Sequence, residues 1–235
     1  RMLDMGFTDQ IETILNFMPK QRQTLLFSAT IPPEIAKITK KYLNEPIRIS
    51  VDVENSAARK VKQDIVHTSE REKYKKFLSQ ISDREGSIIV FMRTKHSTEK
   101  MAAKLTKEGH KANAINGDLR QNKRDRVINN FRNKKYRILV ATDVASRGLD
   151  IPHIEHVINY DLPESPEDYV HRIGRTGRAG AEGFALCFVT PSDKHKWNAI
   201  SRLLNPNSKS NSRKKRSINS ENKPRKNKKK FQADN

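Results

Sequence analysis

The chain has 235 residues and carries 47 lysine and arginine residues against 27 aspartate and glutamate residues, a formal net charge of +20. Residues 206–235 hold 11 of the basic and 2 of the acidic residues, so residues 1–205 carry the remaining net charge of +11. No apolar run is long enough to cross a membrane, no signal peptide is visible, and the single cysteine, Cys187, excludes an internal disulfide framework. We therefore expect a reducing, cytoplasmic setting and, because the body is itself basic, a polyanionic partner.

The first 51 residues have the pattern of a helix followed by a β-α-β piece. Apolar residues recur at helical spacing until Pro19 ends the pattern. We predict strands over 23–27 and 47–51, with a helix between them that opens at Pro32. Such a piece cannot close a hydrophobic core by itself.

A longer alternation of strands and helices follows residues 52–62, which have mixed charge and no periodicity and are interpreted as a linker. We predict strands over 64–68, 87–91, 111–115, 136–142, 156–160 and 183–190. Helices are predicted after Ser165 and over 70–81, 96–108, 120–131 and 192–204. This alternation is typical of an α/β domain over 63–204, with a parallel sheet covered by helices on both faces. Residues 205–235 are almost without apolar residues and are predicted to be a disordered basic tail.

One glycine-punctuated stretch, residues 165–180, carries several arginines. Ser165 suits the N-cap of a short helix, and Gly174 suits its end. Arg175 and Arg178 then lie beyond a helix C-terminus, where the helix dipole favours cations. Guanidinium groups in such a turn suit a phosphate ligand, and the three-residue spacing of the glycines favours this interpretation. The alternative is a surface loop whose arginines pair with local carboxylates.

A second candidate site follows the strand 136–142, because ligands collect at the carboxyl ends of the strands in open parallel sheets. One loop there holds a hydroxyl, two carboxylates, an arginine and a glycine, at Thr142, Asp143, Arg147, Gly148 and Asp150. Hydroxyl and arginine suit a phosphodiester backbone, and a carboxylate suits a ribose hydroxyl. Loop capping and a salt bridge to Arg147 are an equally weighted interpretation of the two carboxylates.

Two further positions combine polar and structural signals. Arg93 and Thr94 follow the strand 87–91, and Thr94 also suits the N-cap of the next helix, so that both roles can coexist. Gln121 and Arg124 share one face of the helix 120–131, and Arg124 falls within its apolar arc. An arginine in that arc needs a partner, and both a buried carboxylate and a phosphate at the sheet edge stay open.

Together these motifs resemble the carboxyl-terminal part of the DEAD-box ATP-dependent RNA helicases, and the likeness covers residues 1 to about 204. Residues 28–30, 89–94, 141–152 and 171–178 resemble the third, fourth, fifth and sixth motifs of that family, in that order. Gln121 with Arg124 resembles its Gln-x-x-Arg element. Residues 1–7 look like the segment directly after the Asp-Glu-Ala-Asp box. Asn116 departs from the pattern, since many members have His before the Gly-Asp pair.

The resemblance implies a RecA-like fold in two domains, with residues 1–51 as the last part of the first domain and 63–204 as the second. It implies that Arg175 and Arg178 are arginine fingers on the ATP phosphates and that His171 joins the inter-domain network. Asp150 and Gly148 would bind the nucleotide, and Ser28 and Thr30 would couple the ATP state to unwinding. The residues implied to grip or support the RNA sugar-phosphate strand are Arg93, Thr94, Gly117, Gln121, Arg124, Thr142 and Arg147.

The expected ligands are therefore RNA, ATP and Mg²⁺, with ribosomal or ribonucleoprotein particles as further partners and no membrane. The sequence contains no Gly-x-x-x-x-Gly-Lys-Ser/Thr phosphate loop and no acidic metal-binding box, so the metal ligands are expected elsewhere. It also opens on Arg1 rather than Met, and we expect a fragment that hydrolyses ATP negligibly on its own. Two other functions stay open: a non-catalytic RNA-binding or chaperone module acting through the tail, and a DNA helicase of related fold.

Overall fold

The computed structural model of the chain describes residues 7–28, 39–49, 61–146, 151, 154–178 and 181–205. The chain divides into two compact units, residues 1–56 and residues 57–235.

The smaller unit contains the predicted first helix, α1 (Thr8–Phe17), and a helical segment at residues 39–42. The two are joined through Glu12, whose carboxylate pairs with Lys41 at 2.5 Å and accepts a hydrogen bond from the Tyr42 hydroxyl at 3.0 Å. The start of the helix predicted at Pro32 lies outside the described residues.

Neither strand predicted for the smaller unit forms in the described residues. Residues 22–28 and 46–49 have no strand structure, and Leu25 and Phe27 are 68% and 89% exposed. Ile47 and Ile49 are exposed as well. A strand is stable only when its backbone groups pair with a neighbouring strand, and no such pair involves these described segments. The apolar composition is strand-like, but composition does not supply a pairing partner.

In the described residues of the larger unit, six strands form one parallel sheet, as predicted. Adjacent strands pair in the order β1-β6-β5-β2-β4-β3. Val61 and Lys62, predicted as the end of the linker, belong to the first strand. The strands are β1 (Val61–His67), β2 (Ile88–Phe91), β3 (Ala112–Ile115), β4 (Ile138–Ala141), β5 (His156–Asn159) and β6 (Gly183–Val189).

Helices connect these strands close to the predicted bounds. Two features were not predicted, namely the one-turn helix α5 directly after β4 and a 3₁₀ turn, Pro191–Asp193, ahead of the last helix. The helices are α2 (Glu70–Ser82), α3 (Lys95–Lys107), α4 (Gln121–Arg132), α5 (Asp143–Ser146), α6 (Pro166–Ile173) and α7 (Lys194–Leu204).

Helix starts follow local capping chemistry. The Ser69 side chain accepts from the Glu72 amide at the start of α2, and Ser165 accepts from the Asp168 amide at the start of α6. Thr94 forms a capping box with Ser97 at the start of α3. The predicted N-caps at Ser165 and Thr94 are therefore confirmed.

Alternate residues of each central strand pack on opposite faces of the sheet, which gives the domain two apolar layers. On one face, Ile88, Val90 and Ile138 pack with side chains of α2 and α3. On the other, Ile89 and Leu139 pack with side chains of α4, α5, α6 and α7. Both faces are covered, so ligands can reach the sheet only at its edges and strand ends.

Cys187 lies on β6 and is buried, with its thiol free. Burial raises the pKa of the thiol to about 12, so Cys187 is protonated at neutral pH and behaves as a small apolar residue of the core.

The difference in burial between two isoleucines of the sheet predicts a large difference in the stability lost when each is truncated to alanine. Ile89→Ala removes a side chain that is 0% exposed and is expected to lower the free energy of unfolding by about 2–5 kcal/mol. Ile65→Ala, at a position on β1 that is 44% exposed, is expected to cost about 1 kcal/mol or less. Urea unfolding followed by the fluorescence of Trp197, the single tryptophan, measures both. Equal losses would contradict the described layering.

Candidate functional site

Four neighbouring strands, β5-β2-β4-β3, end at one edge of the sheet, and each end is followed by polar residues. The edge brings together four of the predicted residues, since Arg93 and Thr94 follow β2, Gly117 follows β3 and Thr142 follows β4. We call this the carboxyl edge. Arg93, Thr94 and Gly117 are exposed there, whereas Thr142 is buried.

The centre of the carboxyl edge is a buried arginine that the sequence analysis did not single out. Arg172 on α6 is 2% exposed, and its guanidinium binds both oxygens of Asp143, at 2.6 and 2.7 Å. It also donates to the Asn159 side-chain oxygen at 3.0 Å and to the Asp161 carbonyl at 2.6 Å. Its Cζ lies 4.9 Å from the centre of the Phe91 ring. One guanidinium thus joins the ends of β2, β4 and β5 to helix α6.

Asp143 was predicted to be either a ligand-binding carboxylate or a loop cap paired with Arg147. The structure gives it Arg172 as its partner and places it at the first position of α5, where a carboxylate interacts favourably with the helix dipole. Arg147 lies outside the described residues.

A second buried cation lies beside this cluster. Lys73 on α2 is 4% exposed, and its ammonium lies 3.2 Å from Asp161 Oδ1 and 4.6 Å from the centre of the Tyr160 ring. The other oxygen of Asp161 accepts the main-chain N–H of Arg93 at 3.0 Å. Burial, followed by the nearby Asp161 charge, raises the pKa of Tyr160 to about 12, so its hydroxyl stays neutral.

Gly117 lies in a turn held by Asn116, the residue that departs from the family pattern. The Asn116 amide donates to Glu99 at 2.8 Å, and its oxygen accepts the Asp118 N–H at 3.0 Å. Asp118 pairs with exposed Lys95. An asparagine can therefore support this turn, since it supplies one donor and one acceptor.

Gln121 and Arg124 differ in their surroundings although they begin the same helix. Gln121 is exposed and donates to Asp125 at 2.8 Å. Arg124 is half-buried and donates to the Ala145 main-chain carbonyl at 2.5 Å. The Ala145 carbonyl was not among the partners predicted from the sequence, and this bond fixes α4 against α5 at the carboxyl edge.

The predicted arginine turn lies elsewhere. Helix α6 begins after the carboxyl end of β5, and the turn after Gly174 contacts residues at the opposite edge, where β1, β5 and β6 begin. The Thr176 hydroxyl donates to the carbonyls of Ile154 and Glu155, at 2.6 and 2.9 Å. Arg178 Nε donates to the Gly174 carbonyl at 3.0 Å. Arg175 and Arg178 are half-buried, and the turn that carries them lies at the starts of the strands rather than at the carboxyl edge.

The turn depends on two glycines. Gly177 has φ +67°, a conformation that favours glycine, and it packs on Gly183 at the start of β6. A Cβ on Gly183 would lie 2.5 Å from the Gly177 nitrogen and 2.8 Å from Thr176 Oγ1. The close approach of these two backbone segments therefore requires glycine at position 183.

His171 and Ser28 are the remaining predicted site residues within the described part of the chain. His171 on α6 is half-buried, and its Nδ1 lies 3.8 Å from Asp168 Oδ1. Ser28 is exposed and belongs to the smaller unit. The predicted positions outside the described residues are Thr30, Arg147, Gly148 and Asp150.

The described residues contain no group of three or more His, Cys, Asp or Glu side chains that could hold a metal ion. In the same part of the chain, no helix has both the length and the apolar character needed to cross a membrane.

Sequence reasoning missed Lys73, Asp161 and Arg172, yet two of them left a signal. Arg172 shares a helical face with Tyr169 and Ile173, and all three are buried. Lys73 begins an i, i+4, i+8 stripe with Phe77 and Ile81, again all buried. A charged residue within an apolar stripe indicates a buried partner, although the stripe does not identify it.

Comparison with known proteins gives two family matches. The family described as "Helicase conserved C-terminal domain" matches residues 70–180, and the family described as "DEAD/DEAH box helicase" matches residues 1–38.

Curated relatives are similar over most of the chain. The chain is 47% identical over 194 residues to an ATP-dependent RNA helicase, CshA, of Listeria monocytogenes, which covers 82% of this chain and 37% of the relative. It is 45% identical over 201 residues to an ATP-dependent RNA helicase, DeaD, of Mycobacterium tuberculosis, a match that covers 86% of this chain and 36% of the relative. The chain thus spans well under half the length of these relatives.

Solved structures agree with the family matches. A structure of S. cerevisiae Dbp5 bound to RNA and ADP BeF3 is 33% identical with a TM-score of 0.76, covering 85% of this chain and 53% of that one. The structure of the C-terminal domain of the DEAD-box protein Dbp5 is 36% identical with a TM-score of 0.58, and the match covers 65% of this chain and 88% of that one. These neighbours confirm the RecA-like fold predicted from the sequence.

The buried ion pair predicts a difference between two aspartate truncations. Asp143→Ala leaves the Arg172 guanidinium without its counter-ion and should lower the free energy of unfolding by about 3 kcal/mol. This value is the low end of the range for breaking a buried ion pair, because the Asn159 side-chain oxygen and the Asp161 carbonyl still accept from the guanidinium. Asp118→Ala removes an exposed pair and should cost less than about 1 kcal/mol. Urea unfolding of both variants tests this, and similar costs would show that the Arg172 pair is not a structural centre.

Proposed function

The chain belongs to the DEAD-box RNA helicase family, and from this premise we propose that it is the carboxyl-terminal part of an ATP-dependent RNA helicase. The complete enzyme would couple ATP binding and hydrolysis to local unwinding of RNA duplexes or remodelling of RNA–protein particles. The observation that carries the proposal is helix α6, which holds Arg172 in the carboxyl-edge cluster and, within six residues, leads to Arg175 and Arg178 at the opposite edge.

The carboxyl edge is the proposed RNA site. Exposed Arg93, Thr94 and Gly117 and buried Thr142 lie at the ends of neighbouring strands, with Gln121 and Arg124 on the adjoining helix α4. Arginines, hydroxyls and main-chain N–H groups bind phosphate and sugar without reading bases, so binding would be independent of sequence. Contacts to a 2′-hydroxyl would let the site distinguish RNA from DNA. Arg147 is proposed to contribute to the same strand.

The turn after α6 is the proposed ATP contact. Phosphoryl transfer depends mainly on positioning and charge stabilisation, and an arginine finger can contribute about 10³–10⁵ in rate. Arg175 and Arg178 are assigned this role. The packing of Gly177 on Gly183 and the Thr176 hydrogen bonds supply the rigid base that such a role needs.

The remaining assignments rest on the family resemblance. His171 is assigned to the inter-domain network, Asp150 and Gly148 to the nucleotide, and Ser28 and Thr30 to coupling. With arginine fingers on one domain and the phosphate-binding loop on another, hydrolysis would require domain closure. Because closure would also complete the RNA site, binding of ATP and binding of RNA would be thermodynamically coupled.

Ligands and setting follow the same premise. A related structure holds RNA and ADP BeF3, which supports RNA and an adenine nucleotide as ligands here. Mg²⁺ would accompany ATP, and no metal ligand is assigned to this chain. Ribosomal or ribonucleoprotein partners and a cytoplasmic location remain predictions.

Arginine-finger roles predict a selective loss of turnover. In a full-length helicase containing this sequence, Arg175→Ala or Arg178→Ala should lower the RNA-stimulated ATPase rate by about 10³-fold or more, because transition-state charge loses its partner. RNA affinity without nucleotide should change little. Arg202→Ala, an exposed position on α7, is the matched control and should keep full activity. A loss of folding, or a loss of RNA affinity with unchanged turnover, would contradict the roles.

The alternative function, RNA binding through the basic tail, is favoured by the 11 lysines and arginines in residues 206–235. Deleting this tail from a full-length helicase should weaken RNA binding and flatten its salt dependence by about 0.7 in log–log slope for each phosphate that the tail had bound. ATP-coupled unwinding should persist under saturating RNA. If unwinding disappears while ATPase activity is unaffected by the deletion, the tail-based function is the better description. Equal stimulation of the ATPase by DNA and RNA would instead indicate a DNA helicase.

A further inference from the structure

We infer that Asp161, held in place by buried Lys73, is a positioning residue that sets the geometry of the Arg93 loop against RNA. This inference rests on the proposed RNA role of Arg93. Asp161 follows β5 and lies 68 residues along the chain from Arg93, so the connection exists only in the folded domain.

Each oxygen of the Asp161 carboxylate has a different donor. Oδ1 lies 3.2 Å from the Lys73 ammonium, and Oδ2 accepts the Arg93 main-chain N–H at 3.0 Å. A second bond ties the same segments, since the Asp161 N–H donates to the Phe91 carbonyl at 3.1 Å. The loop between β2 and α3 is thus fixed through its backbone, while the Arg93 residue itself remains exposed.

Burial explains why the carboxylate is fixed. An ammonium as buried as that of Lys73 is costly unless it is paired, and Asp161 is its ion-pair partner. The Lys73 ammonium also lies 4.6 Å from the centre of the Tyr160 ring, which packs edge-on against Phe77 with centroids 5.2 Å apart. Lys73 therefore has little freedom, and it restricts the side chain that holds the Arg93 loop.

The chemistry requires a carboxylate rather than an amide. Two donors face the two side-chain oxygens of Asp161, and an asparagine has one oxygen to accept from them. In Asp161→Asn, the amide group must face either the ammonium or the Arg93 N–H, so one of these two donors is left without its acceptor. The main-chain carbonyl that accepts from Arg172 is unchanged by this substitution. Asp161→Asn therefore tests the loop connection separately from the connection to α6.

The test is a double-mutant cycle in RNA affinity with the whole 235-residue chain and a fluorescent single-stranded oligoribonucleotide. Arg93→Ala and Asp161→Asn are each expected to weaken binding about 3- to 10-fold and to lower the salt slope by about 0.7, the value for one bound phosphate. The double variant should bind within about twofold of Arg93→Ala alone, because both changes remove the same interaction with RNA. Asp83→Asn, the same substitution in an exposed position at the C-cap of α2, is the control and should bind like the parent chain.

A general loss of stability would not produce this non-additivity. If Arg93→Ala weakens binding while Asp161→Asn does not, or if their effects multiply, Asp161 is structural and the positioning inference is overturned. If Arg93→Ala itself leaves RNA affinity and salt slope unchanged, the proposed RNA role of Arg93 fails, and the inference fails with it. If Asp161→Asn does not fold, as judged by Trp197 fluorescence, Lys73→Met takes its place in the cycle. Non-additivity of Lys73→Met with Arg93→Ala then supports the inference, and multiplying effects overturn it.

Discussion

The larger domain depends on one buried guanidinium. Arg172 is enclosed by Asp143, Asn159, the Asp161 carbonyl and the Phe91 ring, which come from three strand ends. Leaving the N–H donors of this guanidinium unpaired in the interior would be costly, so the strand ends and α6 must adopt their observed positions together. The Arg93 backbone is connected to this cluster through Asp161, whose carboxylate accepts the Arg93 N–H.

Helix α6 also connects the two edges of the sheet. It is only two turns long, with Arg172 anchored at the carboxyl edge and the Arg175–Arg178 turn at the other. Because helical side chains lean toward the helix N-terminus, Arg172 can reach back to the carboxyl edge while the chain beyond it continues away. A rigid element shared by the proposed RNA and ATP contacts would link the two proposed sites mechanically.

Most of the secondary structure was predictable because its signals are local. Ser165 and Thr94 act as N-caps where their side chains suit that role, and the strand–helix alternation over 63–204 indicated a parallel sheet. The strand predicted at 23–27, and the described residues 47–49 of the second predicted strand, do not form because apolar composition does not supply a pairing partner. The bond from Arg124 to the Ala145 carbonyl was also missed, since a main-chain carbonyl carries no signal in the side-chain pattern.

The sequence by itself determined the fold class, most of the helix starts and the family, because hydrophobic periodicity, capping residues and motifs are encoded in neighbouring positions. The tertiary structure decided which charges meet. Arg172 and Asp143 are 29 residues apart in the chain, and Lys73 and Asp161 are 88 apart. It also decided that the arginine turn and the carboxyl-edge cluster occupy opposite ends of the strands. Buried ion pairs form only where the folded backbone brings their partners within hydrogen-bond distance, and no local pattern encodes that distance.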